Sequence, residues 1–216
     1  MDDVAWIRDL VPAGAELAIE PLAAADLESR AAAAGVHALG GRVVARRQRE
    51  YLAGRLAAHA ALRALGADCT VVGRHGQAPR WPAGWCGSIS HGDSLAAAIV
   101  APALRRRALG IDLQERLEGR RIGVAEAAMS PQEQAAARSS ADPWTWTRAW
   151  AAKEAAWKCL SALGSEPPLE TLVPQWADGE RADMVVATPG GPVRVTLASR
   201  IGGDTLWMLA RVAHGD

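Results

Sequence analysis

The sequence predicts an α+β protein with two similar halves, each a helix packed on a short antiparallel sheet. Three observations support this class: the length of 216 residues, the alternation of helical and strand-like segments, and the Gly and Pro turns between them. Hydrophobic residues make up 50% and charged residues 22% of the chain, which is typical of folded globular proteins. We divide the chain into residues 1–104 and 105–216 and expect the active site in the cleft between the halves.

The first half is predicted to contain one long helix and a small sheet. Apolar residues four apart, such as Leu52 and Leu56, indicate the helix, and Gly66 is a natural C-terminal stop. Gly92 and Asp93 fit a tight turn between two short strands. The predicted segments are a strand at 15–19, a helix at 42–65, and strands at 85–90 and 95–100.

The second half is predicted to begin with a strand, continue with helices and end in a strand-rich tail. Ser130 is a helix-capping residue, Pro131 suits the first helical position, and Glu133 stands three residues after the cap. The predicted segments are a strand at 108–113, helices that begin at 130 and at 142, the second running to about 163, and strands at 183–188, 193–199 and 205–212.

The charge composition restricts the class of partner. The chain carries 24 basic and 24 acidic residues, so its formal net charge is zero, and we expect no nucleic-acid partner. The arginines are nevertheless clustered, which suits a local anionic ligand, although a solvated helix face is the commoner origin of any single arginine. The clustered arginines are Arg42, Arg46, Arg47, Arg49 and Arg55, and Arg105, Arg106 and Arg107.

Cysteine usage and hydropathy favour a cytoplasmic protein. The odd number of cysteines, three, and their spacing match no disulfide or zinc pattern, which favours reduced thiols. No basic region precedes an apolar run at the N-terminus, so we expect no signal peptide, and no apolar window is long enough to suggest a membrane partner. Because each half can supply one side of a cleft, the layout favours a monomer.

The first candidate cluster is the segment from Gly110 to Glu115, an apolar strand that ends in carboxylates. Such an arrangement is a common way to hold Mg²⁺, because hard cations prefer oxygen ligands on a rigid support. Asp112 and Gln114 share one face of a strand, whereas Glu115 points to the other. A surface turn without a ligand is the alternative, and for this motif alone it is the stronger one.

The second candidate cluster lies on the predicted helix from Trp150 to Lys158. Lys153 falls at the spacing of the apolar stripe, where a core leucine would be expected. Glu154 and Lys158 are four residues apart and therefore share a face. This pair is either an ordinary surface ion pair or a base and metal ligand whose neighbouring lysines, Lys153 and Lys158, hold a phosphate.

The third candidate cluster, from Gly87 to Gly92, contains Ser90 and His91. A serine nucleophile with a histidine base is disfavoured, because adjacent residues on a strand point to opposite faces and Ser88 occupies a position that the nucleophile elbow reserves for glycine. A strand end that offers hydroxyl, imidazole and N–H groups to a phosphate fits better. A hairpin without a ligand is a fair alternative.

Together these clusters resemble the phosphopantetheinyl transferases of the larger, two-half type, and within them the subgroup associated with siderophore and other secondary-metabolite synthetases. The resemblance covers roughly residues 42–163, and the combination of motifs is more specific than any one of them. The matching segments are Arg47 to Arg55, Trp81-Pro82, Ser88 to His91, Gly110 to Gln114, and Trp150 to Lys158.

The resemblance implies transfer of the 4′-phosphopantetheine group from coenzyme A to a serine of an apo acyl or peptidyl carrier protein, with Mg²⁺ as cofactor and release of adenosine 3′,5′-bisphosphate. Glu154 would act as base, and Lys158 would assist the leaving group. The metal ligands implied are Asp112, Glu154 and Gln114. The coenzyme A contacts implied are Arg47, Arg55, Arg74, His75, Ser90, His91, Lys153 and Lys158.

The resemblance implies that Arg47 and Arg55 clamp the 3′-phosphate. Residues eight apart are separated by about 80° around a helix, so one ligand could reach both. Gln114 departs from the family pattern, which usually has glutamate there, so we expect weaker metal binding without loss of activity. The carrier protein would meet arginines of the second half, namely Arg105 to Arg107 or the face formed by Arg116, Arg120 and Arg121.

Two other functions remain as alternatives. A coenzyme A or nucleotide-binding module without catalysis is the stronger of them, because Gln114 brings no charge to a metal. A serine hydrolase that uses Ser90 is the weaker, because no second base with an orienting acid is visible nearby.

Overall fold

The structure is a computed structural model that describes residues 5–76, 78–103 and 108–212. It consists of helices and antiparallel sheets, which confirms the predicted α+β class. The chain divides into two compact units, Met1–Arg106 and Arg107–Asp216. Within the described ranges, no helix is both long and apolar enough to cross a membrane.

The first unit contains a three-stranded antiparallel sheet covered by a long helix. The sheet has the strand order β1-β5-β4, and β2 and β3 form a separate hairpin. The elements are a 3₁₀ turn at Ala5–Leu10, then β1 Glu16–Pro21, α1 Leu27–Ala33, α2 Ala45–Ala64, β2 Gly73–His75, β3 Ala78–Arg80, β4 Trp85–His91 and β5 Leu95–Pro102.

Helix α2 packs closely on this sheet because it presents small residues to it. A β-carbon on Gly54 would lie 2.7 Å from Cγ2 of Ile89 on β4, so the glycine lets helix and strand approach. The helix matches the predicted segment, and Gly66 follows it with a φ of 74°, as a C-terminal stop requires. Short α1 was not predicted; it lies in the alanine-rich stretch and has no side-chain cap.

The second unit contains a five-stranded antiparallel sheet with the strand order β6-β10-β9-β8-β7. Helix α5 packs on β6 and β10. The elements are β6 Ala108–Glu115, α3 Arg120–Ala127, α4 Pro131–Ser139, α5 Thr145–Ser161, a 3₁₀ turn at Leu169–Thr171, β7 Gln175–Trp176, β8 Arg181–Thr188, β9 Gly191–Gly202 and β10 Thr205–Val212.

The beginning of α4 follows the predicted capping chemistry. The backbone N–H of Glu133 donates to the Ser130 hydroxyl, and the Glu133 carboxylate accepts from the backbone N–H of Ser130 at 2.8 Å. These reciprocal bonds satisfy two N–H groups that the first turn of a helix leaves without intrahelical partners. The same carboxylate also takes part in a buried ion pair described below.

Candidate functional site

Strand β6 and helix α5 bring together Asp112, Glu154 and Lys158 in the second unit. The Lys158 ammonium donates to Oδ1 of Asp112 at 2.6 Å and to the backbone carbonyl of Ile111 at 3.0 Å. Asp112 is only 6% exposed, so this charge-assisted bond lies in a largely dry environment. The predicted base, one predicted metal ligand and one predicted phosphate-binding lysine therefore form one cluster.

Gly110 makes this cluster possible. A β-carbon at this position would lie 1.9 Å from the backbone carbonyl oxygen of Ala155, which is far inside contact distance. The backbone of α5 therefore rests directly on β6 at this point. Two residues further along the strand, Asp112 is within reach of Lys158, which lies three residues after Ala155 on the helix.

The pKa of Glu154 is raised above its ordinary value. Burial is the main cause, because it disfavours the charged carboxylate; the charge of Lys158 acts against this, and the charge of Asp112 adds to it. Glu154 and Asp112 are thus near enough for like-charge repulsion. A carboxylate with raised proton affinity is better matched to accepting a proton near neutral pH than an ordinary glutamate.

The donor set fits a hard divalent cation. Two carboxylates that repel each other, Asp112 and Glu154, would gain from a cation placed between them. Gln114 lies two residues after Asp112 on β6, and its amide nitrogen donates to the carbonyl of Glu115 at 3.1 Å. Glu115 itself lies 3.9 Å from Nη2 of Arg121. Of the described His, Cys, Asp and Glu side chains, no three lie close enough to form a metal cluster, so a cation here would have two carboxylates.

Lys153, a predicted coenzyme A contact, is buried away from any ligand-accessible surface of the second unit. Its side chain is 0% exposed and its ammonium is enclosed by protein acceptors. It donates to Glu133 at 3.0 Å and to the carbonyls of Leu169 and Leu172 at 3.2 and 2.6 Å. Because an ammonium has three N–H donors, these acceptors use all of them. The position on the apolar stripe is therefore interior, and these contacts do not favour the predicted role of Lys153 in binding coenzyme A.

Two predicted coenzyme A contacts of the first unit, Arg55 and Arg74, lie against one tyrosine. Their guanidinium carbons are 5.1 and 5.8 Å from the centre of the Tyr51 ring. Arg55 is 6% exposed, and its Nη1 has no hydrogen-bond partner in the described part of the chain. Burial lowers the pKa of Arg55, as does the charge of Arg74, whereas Tyr51 raises it. Two cations that share one aromatic ring form a site suited to an anion.

Arg47 lies one helical turn before Tyr51 and belongs to a different network. Its Nη1 lies 3.1 Å from Nε2 of His91 and donates to Oε2 of Glu50 at 3.3 Å. An arginine nitrogen is always a donor, so the contact with His91 is a hydrogen bond only when Nε2 is unprotonated. The predicted pair Arg47 and His91 is thus brought together, with Glu50 as a counterion that was not predicted.

Ser90 and His75 are placed less favourably for a ligand. Ser90 is buried on β4, whereas His91, its neighbour, is half-exposed, which agrees with the argument against a serine–histidine pair. His75 is exposed at the end of the β2–β3 hairpin. In that hairpin it is Arg74, and not His75, that reaches Tyr51.

The predicted carrier-binding arginines are largely neutralised where the structure describes them. Arg116 pairs with Glu118, and Arg121 lies 3.9 Å from Glu115. Arg120 is exposed, and no ion pair of it is seen within the described residues. The other candidate group, Arg105 to Arg107, lies outside the described residues.

Two protein-family models match the chain, one in each half. A model of the 4′-phosphopantetheinyl transferase N-terminal domain matches residues 37–101, and a model of the 4′-phosphopantetheinyl transferase superfamily matches residues 108–182. The two matched regions together cover more than half of the chain. The chain belongs to the 4′-phosphopantetheinyl transferase superfamily. The family predicted from the motifs is thereby confirmed.

Several known proteins are similar to parts of the chain. The chain is 35% identical over 109 residues to the 4′-phosphopantetheinyl transferase Npt of Nocardia iowensis. The aligned region is 50% of this chain and 48% of the relative. It is 43% identical over 70 residues to Enterobactin synthase component D of Escherichia coli strain K12, which is 32% of each protein. The protein of the same name from Salmonella typhi is 32% identical over 119 residues, which is 54% of this chain and 49% of the relative. The chain thus spans about half, or less, of the length of these relatives.

Three residues that contact predicted site residues were not themselves predicted as parts of a site: Glu50, Tyr51 and Glu133. The sequence did carry signals for two of them. Glu50 stands three and four residues after Arg47 and Arg46, and Tyr51 stands four residues before Arg55, so both lie on faces shared with these arginines. Glu133 was predicted only as a cap residue, because its contact with Lys153 spans 20 positions.

Proposed function

We propose that the chain transfers the 4′-phosphopantetheine group of coenzyme A to a serine of an apo carrier protein, in a Mg²⁺-dependent reaction that releases adenosine 3′,5′-bisphosphate. The observation that carries the proposal is the cluster of Glu154, Asp112 and Lys158, in which the pKa of Glu154 is raised. Membership of the transferase superfamily supports the same reaction class.

The carrier serine is the nucleophile, so the enzyme needs a base rather than a nucleophile of its own. Glu154 accepts the serine proton while the serine oxygen forms a bond to the phosphorus of the phosphopantetheine group. The bond from that phosphorus to the bridging oxygen breaks, and adenosine 3′,5′-bisphosphate leaves with the electron pair. Lys158, a cation beside the carboxylates, offsets the negative charge that develops on the leaving side.

Asp112 and Glu154 would hold the magnesium ion, with Gln114 as an uncharged third donor. Bound Mg²⁺ would neutralise charge on the phosphate oxygens. Lys158 lies against Asp112 and offsets one of the two carboxylate charges.

In the first unit, Arg55 and Arg74 would bind a phosphate of coenzyme A beside Tyr51. The buried Nη1 of Arg55, which lacks a protein acceptor among the described residues, supports this assignment. We assign Arg47 and His91 to the same ligand, with Arg47 contacting the 3′-phosphate. Ser90 and His75 are weaker candidates because of their positions.

The carrier protein belongs, in this proposal, to a siderophore or other secondary-metabolite synthetase. The support is the similarity to proteins named Enterobactin synthase component D. Arg120 is exposed and has no ion pair among the described residues, so it is available to meet a carboxylate of the carrier, and Arg120→Glu should raise the carrier KM and leave the coenzyme A KM unchanged. An unchanged carrier KM would remove this face from the proposal.

The reaction is tested by mixing the full chain with coenzyme A, Mg²⁺ and several apo carrier proteins and then measuring intact masses. We expect one carrier to gain the mass of one phosphopantetheine group, and we expect the gain to disappear with EDTA and in Glu154→Gln. Wild-type protein without coenzyme A is the matched blank.

A module that binds coenzyme A without turning it over is the second candidate, favoured by Gln114 in place of an acidic ligand. It predicts binding of coenzyme A by calorimetry together with no mass gain on any carrier. That combination would contradict the transferase reaction.

A further inference from the structure

Glu50 is a buried carboxylate that the proposed reaction does not use. Its side chain is 9% exposed on α2, yet its two oxygens face three basic groups of the first unit. Oε1 accepts from Nε of Arg46 at 2.9 Å. Oε2 accepts from Nη1 of Arg47 at 3.3 Å and lies 3.5 Å from Nε2 of His91.

These contacts fix the guanidinium of Arg47 relative to His91. Arg47 is otherwise a half-exposed side chain at the beginning of a helix, where a long flexible arm would sample many rotamers. With Nη1 held by Glu50, its Nε and Nη2 have no protein acceptor in the described ranges and keep their donors for a ligand.

Asp93 provides a natural comparison. It is a second carboxylate of the same network, 54% exposed, and it pairs with Arg46 at 2.5 Å. Glu50 and Asp93 therefore bring the same charge to the region and both pair with Arg46, whereas the ion pairs of Glu50 also include Arg47 and His91.

We propose that Glu50 is a positioning residue of the coenzyme A phosphate site, which holds Arg47 and His91 in the arrangement that receives the 3′-phosphate. This inference rests on the function proposed above. Its physical basis is preorganisation: side chains that are ordered before the ligand arrives lose less conformational freedom on binding. Although burial opposes ionisation of Glu50, hydrogen bonds from Arg46 and Arg47 and the charge of His91 lower its pKa, so it is a carboxylate at neutral pH.

The sign of the effect separates positioning from simple charge balance. A carboxylate beside a phosphate site repels the ligand, so removing its charge alone should tighten phosphate binding. Loss of a positioning contact should weaken binding instead, because Arg47 then has to be ordered by the ligand. The two roles therefore predict opposite changes in Kd for the same substitution.

The experiment is calorimetric titration of the full chain with adenosine 3′,5′-bisphosphate and, separately, with adenosine 5′-monophosphate, which lacks the 3′-phosphate. For Glu50→Gln we expect the Kd of the bisphosphate to rise by about 3- to 10-fold, the cost of ordering one long side chain, and the Kd of the monophosphate to stay unchanged. The control Asp93→Asn removes the same charge and should leave bisphosphate binding unchanged or tighter. Glu50→Asp, which keeps the charge but shortens the reach, should weaken bisphosphate binding as Glu50→Gln does.

Tighter or unchanged bisphosphate binding in both Glu50 variants would overturn the inference. So would an equal loss for both nucleotides accompanied by a lower melting temperature, which would mark a purely structural role. If wild-type protein binds neither nucleotide, the proposed coenzyme A site fails and the inference fails with it. If wild-type protein binds the bisphosphate and the Glu50 variants bind it equally well, the inference alone fails.

Discussion

Gly110 on β6 lies so close to Ala155 on α5 that no side chain fits between the strand and the helix backbone. This contact sets the distance between the element that carries Asp112 and the element that carries Glu154 and Lys158. The glycine of the Gly-Ile-Asp segment is therefore a packing residue, and the chemistry of the cluster depends on it without involving it directly.

Gly110→Ala should destabilise the second unit and abolish the Asp112–Lys158 contact. The obstacle is the carbonyl oxygen of Ala155, which is backbone and cannot rotate away, so we expect a loss of about 3 kcal/mol or more in the free energy of unfolding, at or beyond the upper end of overpacking effects. Urea denaturation of the two proteins measures this loss.

Gly123→Ala is the matched control, because Gly123 lies in α3 and nothing lies within 4 Å of where its β-carbon would be. Replacing a helical glycine by alanine there should stabilise the protein by about 0.5–1 kcal/mol. Equal stability of Gly110→Ala and the wild type would show that helix and strand are less closely packed than this structure describes.

Local signals predicted most elements of the fold, whereas the sheets required tertiary information. The capping box at Ser130 and the helix stop at Gly66 are each encoded by a few adjacent residues, and both were predicted from the sequence. Helix α3 was missed because it has no side-chain cap and begins after Gly119, a residue with a φ of 52°. The pairing of β6 with β10 joins residues 90 to 104 positions apart, and no local pattern encodes such a choice of partner.

Lys153→Met should lower stability while leaving coenzyme A binding unchanged. Removing one partner of a buried ion pair costs about 3–5 kcal/mol, and we expect the lower end because Glu133 keeps some exposure. The free energy of unfolding and the Kd of coenzyme A, both measured well below the melting temperature, test the two halves of this prediction.

The double variant Lys153→Met with Glu133→Gln should recover part of the lost stability, because no uncompensated charge is then left behind. A large rise in the Kd of coenzyme A at unchanged stability would restore Lys153 to the phosphate-binding residues.

The candidate site could be predicted only as far as motifs and helix spacing reach. Spacing placed Glu154 and Lys158 on one face, and the strand motif supplied Asp112. The sequence could not show that Lys153 donates to the carbonyls of Leu169 and Leu172. A buried lysine and a ligand-binding lysine occupy the same kind of position in a sequence.

Arg55→Met should weaken phosphate binding and at the same time stabilise the free protein. A buried guanidinium whose Nη1 has no described partner costs free energy in the absence of a ligand, and methionine of similar length removes that cost. A lost hydrogen bond to a charged group is worth about 1.5–3 kcal/mol, so the Kd of adenosine 3′,5′-bisphosphate should rise about 10- to 100-fold. Thermal melts with and without the nucleotide measure both effects, and a less stable apo variant with normal nucleotide affinity would contradict the assignment.

Gln114→Glu should strengthen Mg²⁺ binding by adding a third carboxylate on the face of β6 that carries Asp112. Charge attraction at short range is worth several kcal/mol before desolvation is counted, so we expect the half-saturating Mg²⁺ concentration to fall by about tenfold. Glu115→Gln is the control, because it changes one charge at the next position, on the opposite face of the strand. Calorimetric titration with Mg²⁺ measures the half-saturating concentration for both variants. An unchanged Mg²⁺ affinity in Gln114→Glu would mean that residue 114 does not face the cation.

Glu154→Gln should lose activity and gain stability, with a pH dependence that identifies the cause. The pKa of Glu154 is raised in the folded protein, chiefly by burial, so its ionised form is disfavoured there relative to the unfolded chain. Below the ordinary carboxyl pKa, Glu154 is protonated in both states and the wild type carries no penalty. The free energy of unfolding then decreases as the pH rises from the ordinary pKa through the raised one. In Mg²⁺-free buffer the stability advantage of Glu154→Gln should be absent at low pH, grow over that window and then level off.

The rate should depend on the protonation of the same carboxyl group. Loss of the base should reduce kcat/KM by about 10²- to 10⁴-fold, and the wild-type rate should fall towards low pH as Glu154 becomes protonated. Because bound Mg²⁺ would lower the pKa of Glu154, the fall in rate should lie at lower pH than the stability window measured without Mg²⁺. A stability difference between Glu154→Gln and the wild type that is independent of pH would contradict the assignment of the effect to the ionisation of Glu154.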